Sequence, residues 1–472
     1  MPTNHSHLQI KHSGTLFMMK IISRRGLIVS LALAAVLLRG YAVELSPEDK
    51  TWPEFRGPTG QGHARATNIP STWSETQNIA WKTPLPGKGW SSPVTAGKLL
   101  WMTCAEVQPA SEELKQKRLK VNTGDQPLDI AGHVDFFALG VDPQTGELVK
   151  QVKLLEVDEP QQIHTLNSFA SPTPVIEGDR LYCHFGAFGN ACLDTSTGNV
   201  IWTNQKLVIM HENGPGSTPI LHDDKLIFHC DGSDYQYIVA LDKATGELAW
   251  RTDRTGELNS NKQLKKAYGT PLIVKQNWQG TEREVLLSPA ADWLYAYDPA
   301  NGQELWKLNY GALGFSIVPR PVTGHGKMFM CTSFMKSELL AVQLDGQGKI
   351  PEPHIAWRYG KQVPSMSSPL LVGNELFLVH DNGVATCLDA RQGTVHWTER
   401  LGGKFCASPL FVDGKVLFCN TDGVTTVINP GVKFEKLADN QLDGAIMASP
   451  IALEQALYIR TDKAIYKIQG KE

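Results

Sequence analysis

The stretch Ala407–Gly423, ASPLFVDGKVLFCNTDG, constrains this chain more than any other. Ser408-Pro409 leads into an apolar run, Asp413-Gly414 turns the chain, and a second apolar run ends at Thr421-Asp422-Gly423. Short β-rich runs separated by Asp-Gly turns are a strong hairpin signal. The unit recurs. Pro93, Pro174, Pro219, Pro271, Pro321, Pro369, Pro409 and Pro450 each open one, in steps of 81, 45, 52, 50, 48, 40 and 41 residues. Repeats of that length, each able to supply four short strands, describe a propeller.

A second pattern closes each unit. Asp194, Asp242, Asp298 and Asp389 are each followed four residues on by Gly and eight residues on by Trp202, Trp250, Trp306 and Trp397. Asp caps a tight turn, Gly takes the positive-φ position, and Trp lies on the outer strand, where its face covers the gap between blades. Asp142 to Gly146 keeps the turn but has Val149 in place of Trp, and Asp345 to Trp357 is stretched by a Gly/Pro insertion. The eighth unit stops at Tyr466-Lys467-Ile468, one strand short, while Ile79-Ala80-Trp81-Lys82 is a strand to spare. The expected fold is therefore all-β: an eight-bladed propeller of four-stranded antiparallel blades, closed by the N-terminal strand near Trp81. Trp81, Trp202, Trp250, Trp306, Trp357 and Trp397 are the expected blade-docking residues.

Three segments divide the chain. Residues 1–42 read as an export signal: Arg24-Arg25, an apolar run from Leu27 to Leu38, then Gly40-Tyr41-Ala42. The paired arginines suit a twin-arginine or a general secretory route, and Met18 or Met19 suits the start of such a signal. Residues 43–78 form an irregular lead pinned by Trp52, Phe55 and Trp73, and 79–472 form the propeller. An insertion at about 105–133 includes a short helix with Glu112 and Glu113 first and Lys115, Lys117, Arg118 and Lys120 last, as the helix dipole favours. It reads as surface decoration or as a docking element. The expected place is the periplasm or cell envelope, with no membrane-spanning segment after the signal and a monomeric chain.

Residues 1–42 hold five basic and no acidic side chains, so the remainder carries 40 basic against 48 acidic ones. That balance excludes nucleic acid as an expected partner, since its binding rests on neutralising phosphates. Cys183 and Cys192 flank Gly186-Ala187-Phe188-Gly189 symmetrically and are the one candidate disulfide; the other six cysteines lie mostly inside strand-like runs.

The Ser-Pro-apolar-Asp-Gly units and the Asp-x-x-Thr-Gly-x-x-x-Trp turns of Asp194–Trp202 and Asp242–Trp250 resemble the pyrroloquinoline-quinone-like (PQQ-like) repeat family, over about Trp52 to Ile468. The opening Trp52-Pro53-Glu54-Phe55-Arg56-Gly57-Pro58 is similar to exported propellers of planctomycete-type bacteria. The resemblance implies one of two functions: a quinone-dependent dehydrogenase, or a non-catalytic scaffold such as that of the outer-membrane assembly machinery. The quinone enzymes place PQQ over adjacent cysteines, with a calcium ion and a catalytic aspartate. This sequence has no Cys-Cys pair and no Cys-x-x-Cys-His. It also lacks Gly-x-Ser-x-Gly, His-Glu-x-x-His and a P-loop. No cofactor is expected, and the chain reads as a protein that binds a small polar ligand or an envelope protein; the alternative is a PQQ-dependent oxidoreductase using the same funnel.

The segments just before each inner strand converge on the propeller axis and carry the candidate site: Trp90, His164, Asn167, His211, Glu212, Asn213, Lys266, Tyr268, Arg320 and Lys404. Such groups could hold a small anionic or sugar-like ligand. His164, His211 and Glu212 could gather a metal, or all ten could simply fill the channel mouth. Asp231-Gly232-Ser233-Asp234 reads as a turn in preference to a calcium loop.

Overall fold

The structure, a computed structural model, describes residues 50–120, 126–278, 281–344 and 354–470. The expected signal segment 1–42, the start of the lead and the insertion between Asp345 and Trp357 fall wholly or mainly outside the described residues.

Eight antiparallel sheets follow one another along the chain. Blade 1 comprises Leu100–Pro109, Ala131–Val141 and Leu148–Asp158. Blades 2 to 7 open with inner strands Val175–Glu177, Ile220–His222, Leu272–Trp278, Val322–Gly324, Leu370–Val372 and Leu410–Val412. Blade 8 comprises Ile451–Leu453, Ala456–Arg460 and Ala464–Ile468, and its outer strand is Ile79–Pro84, antiparallel to the last strand of the chain. Seven of the sheets have four strands. Blade 1 has three, its inner strand being reduced to a bridge between Val94 and Trp101.

The Asp-Gly turns explain the repeat in local terms. In each, the Asp side chain accepts backbone N–H groups two or three residues on, as Asp242 does from Ala244 at 3.0 Å and Thr245 at 2.8 Å. The Gly N–H returns to the Asp carbonyl, at 2.8 Å for Gly246 to Asp242, and Gly246 has φ +73°. The outer strand then bulges just before its Trp, with register shifts at Ala80, Ile201, Ala249, Leu305 and Ala356. A bulge twists the strand, and five of the indoles reach the turn of the following blade. Trp81 donates to Pro143 O, Trp202 to Lys243 O, Trp250 to Pro299 O, Trp357 to Ala390 O and Trp397 to Gly431 O, at 3.0–3.2 Å. A Cβ on Gly246 would stand 2.5 Å from the Trp202 ring, so only glycine lets the turn lie flat against it. Blade 1, whose outer strand has no Trp, substitutes Lys150, whose Nζ donates to Ser196 O at 2.8 Å in blade 2. Trp306 Nε1 has no hydrogen-bond partner among the described residues.

The core is divided between blades. One apolar cluster joins Cys183, Leu181 and Leu193 of blade 2 to Phe136 and Ala138 of blade 1. Another joins Cys192, Tyr182 and Trp202 to Phe228 and Val239 of blade 3. Cys183 and Cys192 therefore project from opposite faces of one sheet. The register pairs Cys183 with Ala191 and Cys192 with Tyr182, and all eight cysteines are free. The candidate disulfide is corrected on this ground: symmetric flanking of the Gly186–Gly189 turn sets the two one register step apart, and a single step reverses the face.

The insertion extends blade 1. Its strands run 10 to 11 residues, helix α1 (Glu112–Lys120) stands at the tip, and Leu128–Asp129 returns to pair with Ile163–His164. Arg118 donates to Glu159 O and Pro160 O, which ties α1 to the blade, while Lys115 pairs with Glu112. Among the described residues no helix is long and apolar enough to cross a membrane.

Candidate functional site

The residue before each strand-opening proline is Ser or Thr in seven blades and Arg320 in the eighth. Seven of the eight, all but Thr270, are joined in a run around the axis that forms most of a ring. Arg320 N–H donates to Ser368 Oγ, Ser368 N–H to Ser408 Oγ, and Ser408 N–H to Ser449 Oγ, at 2.9–3.0 Å. Ser449 N–H then reaches Ser92 Oγ, Ser92 N–H reaches Thr173 Oγ1, and Thr173 N–H reaches Thr218 Oγ1, at 3.0–3.2 Å. Each backbone donor is thus satisfied by the hydroxyl of the next blade, as buried N–H groups require. The recurring Ser/Thr is visible in the sequence as part of the repeat; the ring of bonds that it makes is not.

One face of this ring opens into a cavity of about 600 Å³. Its wall is formed by the residues three before each proline, among them Trp90, Tyr268, Val318, Met366, Cys406 and Met447. Leu166, Phe315 and Phe334 stand at the mouth, and Leu166 and Phe334 are exposed there. Gln126, just before the returning strand of the insertion, also borders it, so the insertion contributes to the rim.

The opposite end of the channel is stopped by the lead. Trp52 bridges Thr95 of blade 1, Ile176 N–H of blade 2 donates to Pro53 O, and Phe411 N–H of blade 7 donates to Gly62 O. All three partners lie beyond the prolines, on the far side of the hydroxyl ring. Phe55 reaches through to border the cavity. Arg320 holds this plug: its guanidinium donates to Phe55 O at 2.5 Å and pairs with Glu54 at 3.0 Å. Gly60, at φ +66°, lies flat on that guanidinium, where a Cβ would stand 2.5 Å from Cζ. Arg56 is tied to Pro369 O at 2.8 Å and backed by Gly62. The Trp52–Gly62 motif is therefore a stopper built around two arginines.

Of the ten rim candidates, Trp90, His164, Asn167, Asn213, Lys266 and Tyr268 border the cavity. Trp90 Nε1 donates to Leu166 O at 3.2 Å, and His164 Nδ1 accepts Leu166 N–H at 3.0 Å. Asn167 donates to Asn213 O at 2.8 Å and Pro215 O at 3.1 Å. Tyr268 donates to His211 O at 2.6 Å. Glu212 lies behind the wall, with φ +62°, paired with Lys266 at 3.1 Å and bonded to Gln263. Burial pushes the Lys266 ammonium down, and Glu212 opposes that pull.

The other three candidates lie elsewhere. His211 is buried against blade 2, where its Nε2 accepts Ala187 N–H at 2.8 Å, and burial lowers it to about 3. Arg320 belongs to the stopper. Lys404 is exposed and does not border the cavity. Hence His164, His211 and Glu212 do not form a shared metal-ligand group. The group of three such side chains found among the described residues is His133, Asp135 and Glu156 in blade 1, where the Lys153 ammonium, 2.6 Å from Asp135, already supplies the positive charge. Asp231 makes a two-pronged pair with buried Arg254, at 2.9 and 2.6 Å, so its loop is a turn. Of the basic groups expected at the rim, Lys266 pairs with Glu212, Arg320 pairs with Glu54, and Lys404 lies outside the cavity.

A quinone of the kind that the resemblance implies is not matched by this wall. Cys406 is the cavity's single cysteine, and among the cavity's described side chains no carboxylate cluster could hold calcium.

Comparison with known proteins gives the same architecture. A sequence model of the family described as outer membrane protein assembly factor BamB matches residues 137–349 and 290–431. The structure of BamB from Moraxella catarrhalis superposes with a TM-score of 0.50 at 13% identity, covering 83% of this chain and 99% of that one. A europium-containing methanol dehydrogenase superposes with a TM-score of 0.50 at 12% identity, covering 87% and 89%. Likeness at such identity shows a shared fold and nothing more. None of the curated proteins compared matches the sequence. With the repeat, the eight blades and a family match across more than half of its length, this chain belongs to the PQQ-like repeat propellers, in the family described as outer membrane protein assembly factor BamB.

Proposed function

We propose that this chain is an exported, non-catalytic binding propeller of the cell envelope, and that its channel mouth receives an apolar group from a partner protein. The observation that carries this reading is the cavity wall. It is blind at one end, lined by Trp90, Tyr268, Phe315, Val318 and methionine side chains, and its one buried ammonium is neutralised by Glu212. Concave apolar sites with a few fixed polar groups are the usual form of a binding pocket. Exposed Leu166, Phe334 and Met335 extend the apolar surface outward, as expected of a protein contact. The family's description as an assembly factor of the outer membrane supports an envelope location and a protein partner.

The test is a photo-crosslinker placed at Leu166 or Phe334, and as control at exposed Glu399 on an outer strand, in solubilised envelopes. One predominant adduct from the rim positions, lost when Leu166→Asp and Phe334→Asp are combined, is expected. Equal adducts from rim and control would overturn the reading. A parallel titration with PQQ, with and without calcium, addresses the oxidoreductase alternative: saturable binding with a shifted quinone spectrum would replace the present proposal.

A further inference from the structure

Three consecutive blades present sulfur to the cavity. The residue three before the strand-opening proline is Met366 ahead of blade 6, Cys406 ahead of blade 7 and Met447 ahead of blade 8, and all three border the cavity. Cys406 is the one cysteine of the eight that is not buried. Its Sγ lies 3.7 Å from Met366 Sδ. Sulfurs that share one ion at a metal–sulfur distance of about 2.3 Å sit about 3.8 to 4.0 Å apart. Cys406 and Met366 are within about 0.3 Å of that spacing, and Met447 holds the same repeat position one blade further on and borders the same cavity.

We propose that Met366 Sδ, Cys406 Sγ and Met447 Sδ form a binding site for one soft monovalent metal ion of the Cu(I) or Ag(I) class. Thioether and thiolate are the ligands such ions select, whereas calcium and magnesium require oxygen. One thiolate balances one monovalent charge, so the ion and its three sulfur ligands carry no net charge together. On binding, the Cys406 thiol proton leaves to solvent as the metal–sulfur bond forms. Burial, joined by the Asp381 carboxylate that also borders the cavity, pushes the Cys406 thiol up to about 12, so the ion has to displace the proton; the same carboxylate charge attracts the cation. The site stands independently of the apolar partner group proposed above, because it is read by metal alone.

The experiment uses the purified, reduced chain without oxygen. Cu(I) is supplied in competition with bicinchoninate, and Ag(I) by calorimetry. One ion per chain is expected. Cys406→Ser should weaken binding by about 100-fold or more, the upper end of what loss of supporting contacts alone causes. Met366→Leu and Met447→Leu, close in shape to the native side chain, should each weaken it by about tenfold, with circular dichroism and melting unchanged; they carry the test should the cysteine variant misfold. X-ray absorption of the copper form should show sulfur neighbours only. Absence of stoichiometric binding, an affinity untouched by all three substitutions, or nitrogen or oxygen in the copper shell would each overturn the proposal.

Discussion

His184, His211 and His229 show how far single residues here depart from their ordinary chemistry. All three are buried, and each has one ring nitrogen without a hydrogen-bond partner among the described residues. Burial lowers His184 to about 4 and His211 to about 3, and sends His229 well below its ordinary value. Folded, they stay neutral; unfolded, each takes a proton near pH 6.5. The unfolded chain therefore binds more protons between about pH 6.5 and 4, and stability falls as the pH is lowered through that window. His184 alone should contribute about 2 kcal/mol to the loss between pH 7 and 4.5, each tenfold difference in proton affinity being worth about 1.4 kcal/mol. Urea unfolding at the two pH values should show His184→Gln narrowing the gap by that amount, whatever it costs at pH 7. An unchanged gap would mean that His184 is protonated in the fold. The same residues mark where sequence stopped being informative. The repeat placed His211, Arg320 and Lys404 before inner strands, but not the direction of their side chains. His211 turns to Gly186 and Arg320 to the stopper 265 residues earlier in the chain, both decided by contacts distant in sequence, while Lys404 turns to solvent.

At the scale of the element, the unit is the outer-strand Trp together with the turn of the next blade. The Asp cap, the positive-φ Gly and the Trp were legible because each is local; the bulge before the ring shows only in the register of the paired strands. The Ser or Thr before seven of the eight prolines recurs in the sequence, but its part in the hydroxyl run, and the part of the position three before each proline in the wall, depend on neighbouring units placed by the fold. Trp202→Ala should cost about 3 to 5 kcal/mol, as large-to-small core changes do. Gly246→Ala should cost more than about 1 kcal/mol, because it adds a Cβ at positive φ. The two should combine to less than their sum, since the alanine at 202 removes the ring that the new Cβ would strike. Denaturant melts of the four chains measure this directly, and strict additivity would show that the turn and the indole are energetically separate.

The whole molecule is a circuit of neighbours in which the first strand belongs to the last blade. Ile79–Pro84 pairs with Ala464–Ile468 along its length, so deleting residues up to Pro84 exposes an unpaired edge and withdraws Trp81 from the turn at Gly146. Such edges recruit other strands. Light scattering should find the shortened chain associating, and a monomer of unchanged melting temperature would show that the pairing contributes little. The hydroxyl ring has a consequence of another kind. Every bond in the run from Arg320 through Ser92 to Thr218 points the same way round the axis. Chains of hydrogen bonds with a common sense polarise one another, and this run ends at blade 4, with Thr218 and Arg320 on either side of Thr270. Other bonds take over across blade 4: Ser217 Oγ donates to Gly269 O, Tyr268 N–H to Ile317 O and Ser316 N–H to Lys266 O, so the circuit is completed there beside the Lys266–Glu212 pair that backs the wall of the cavity.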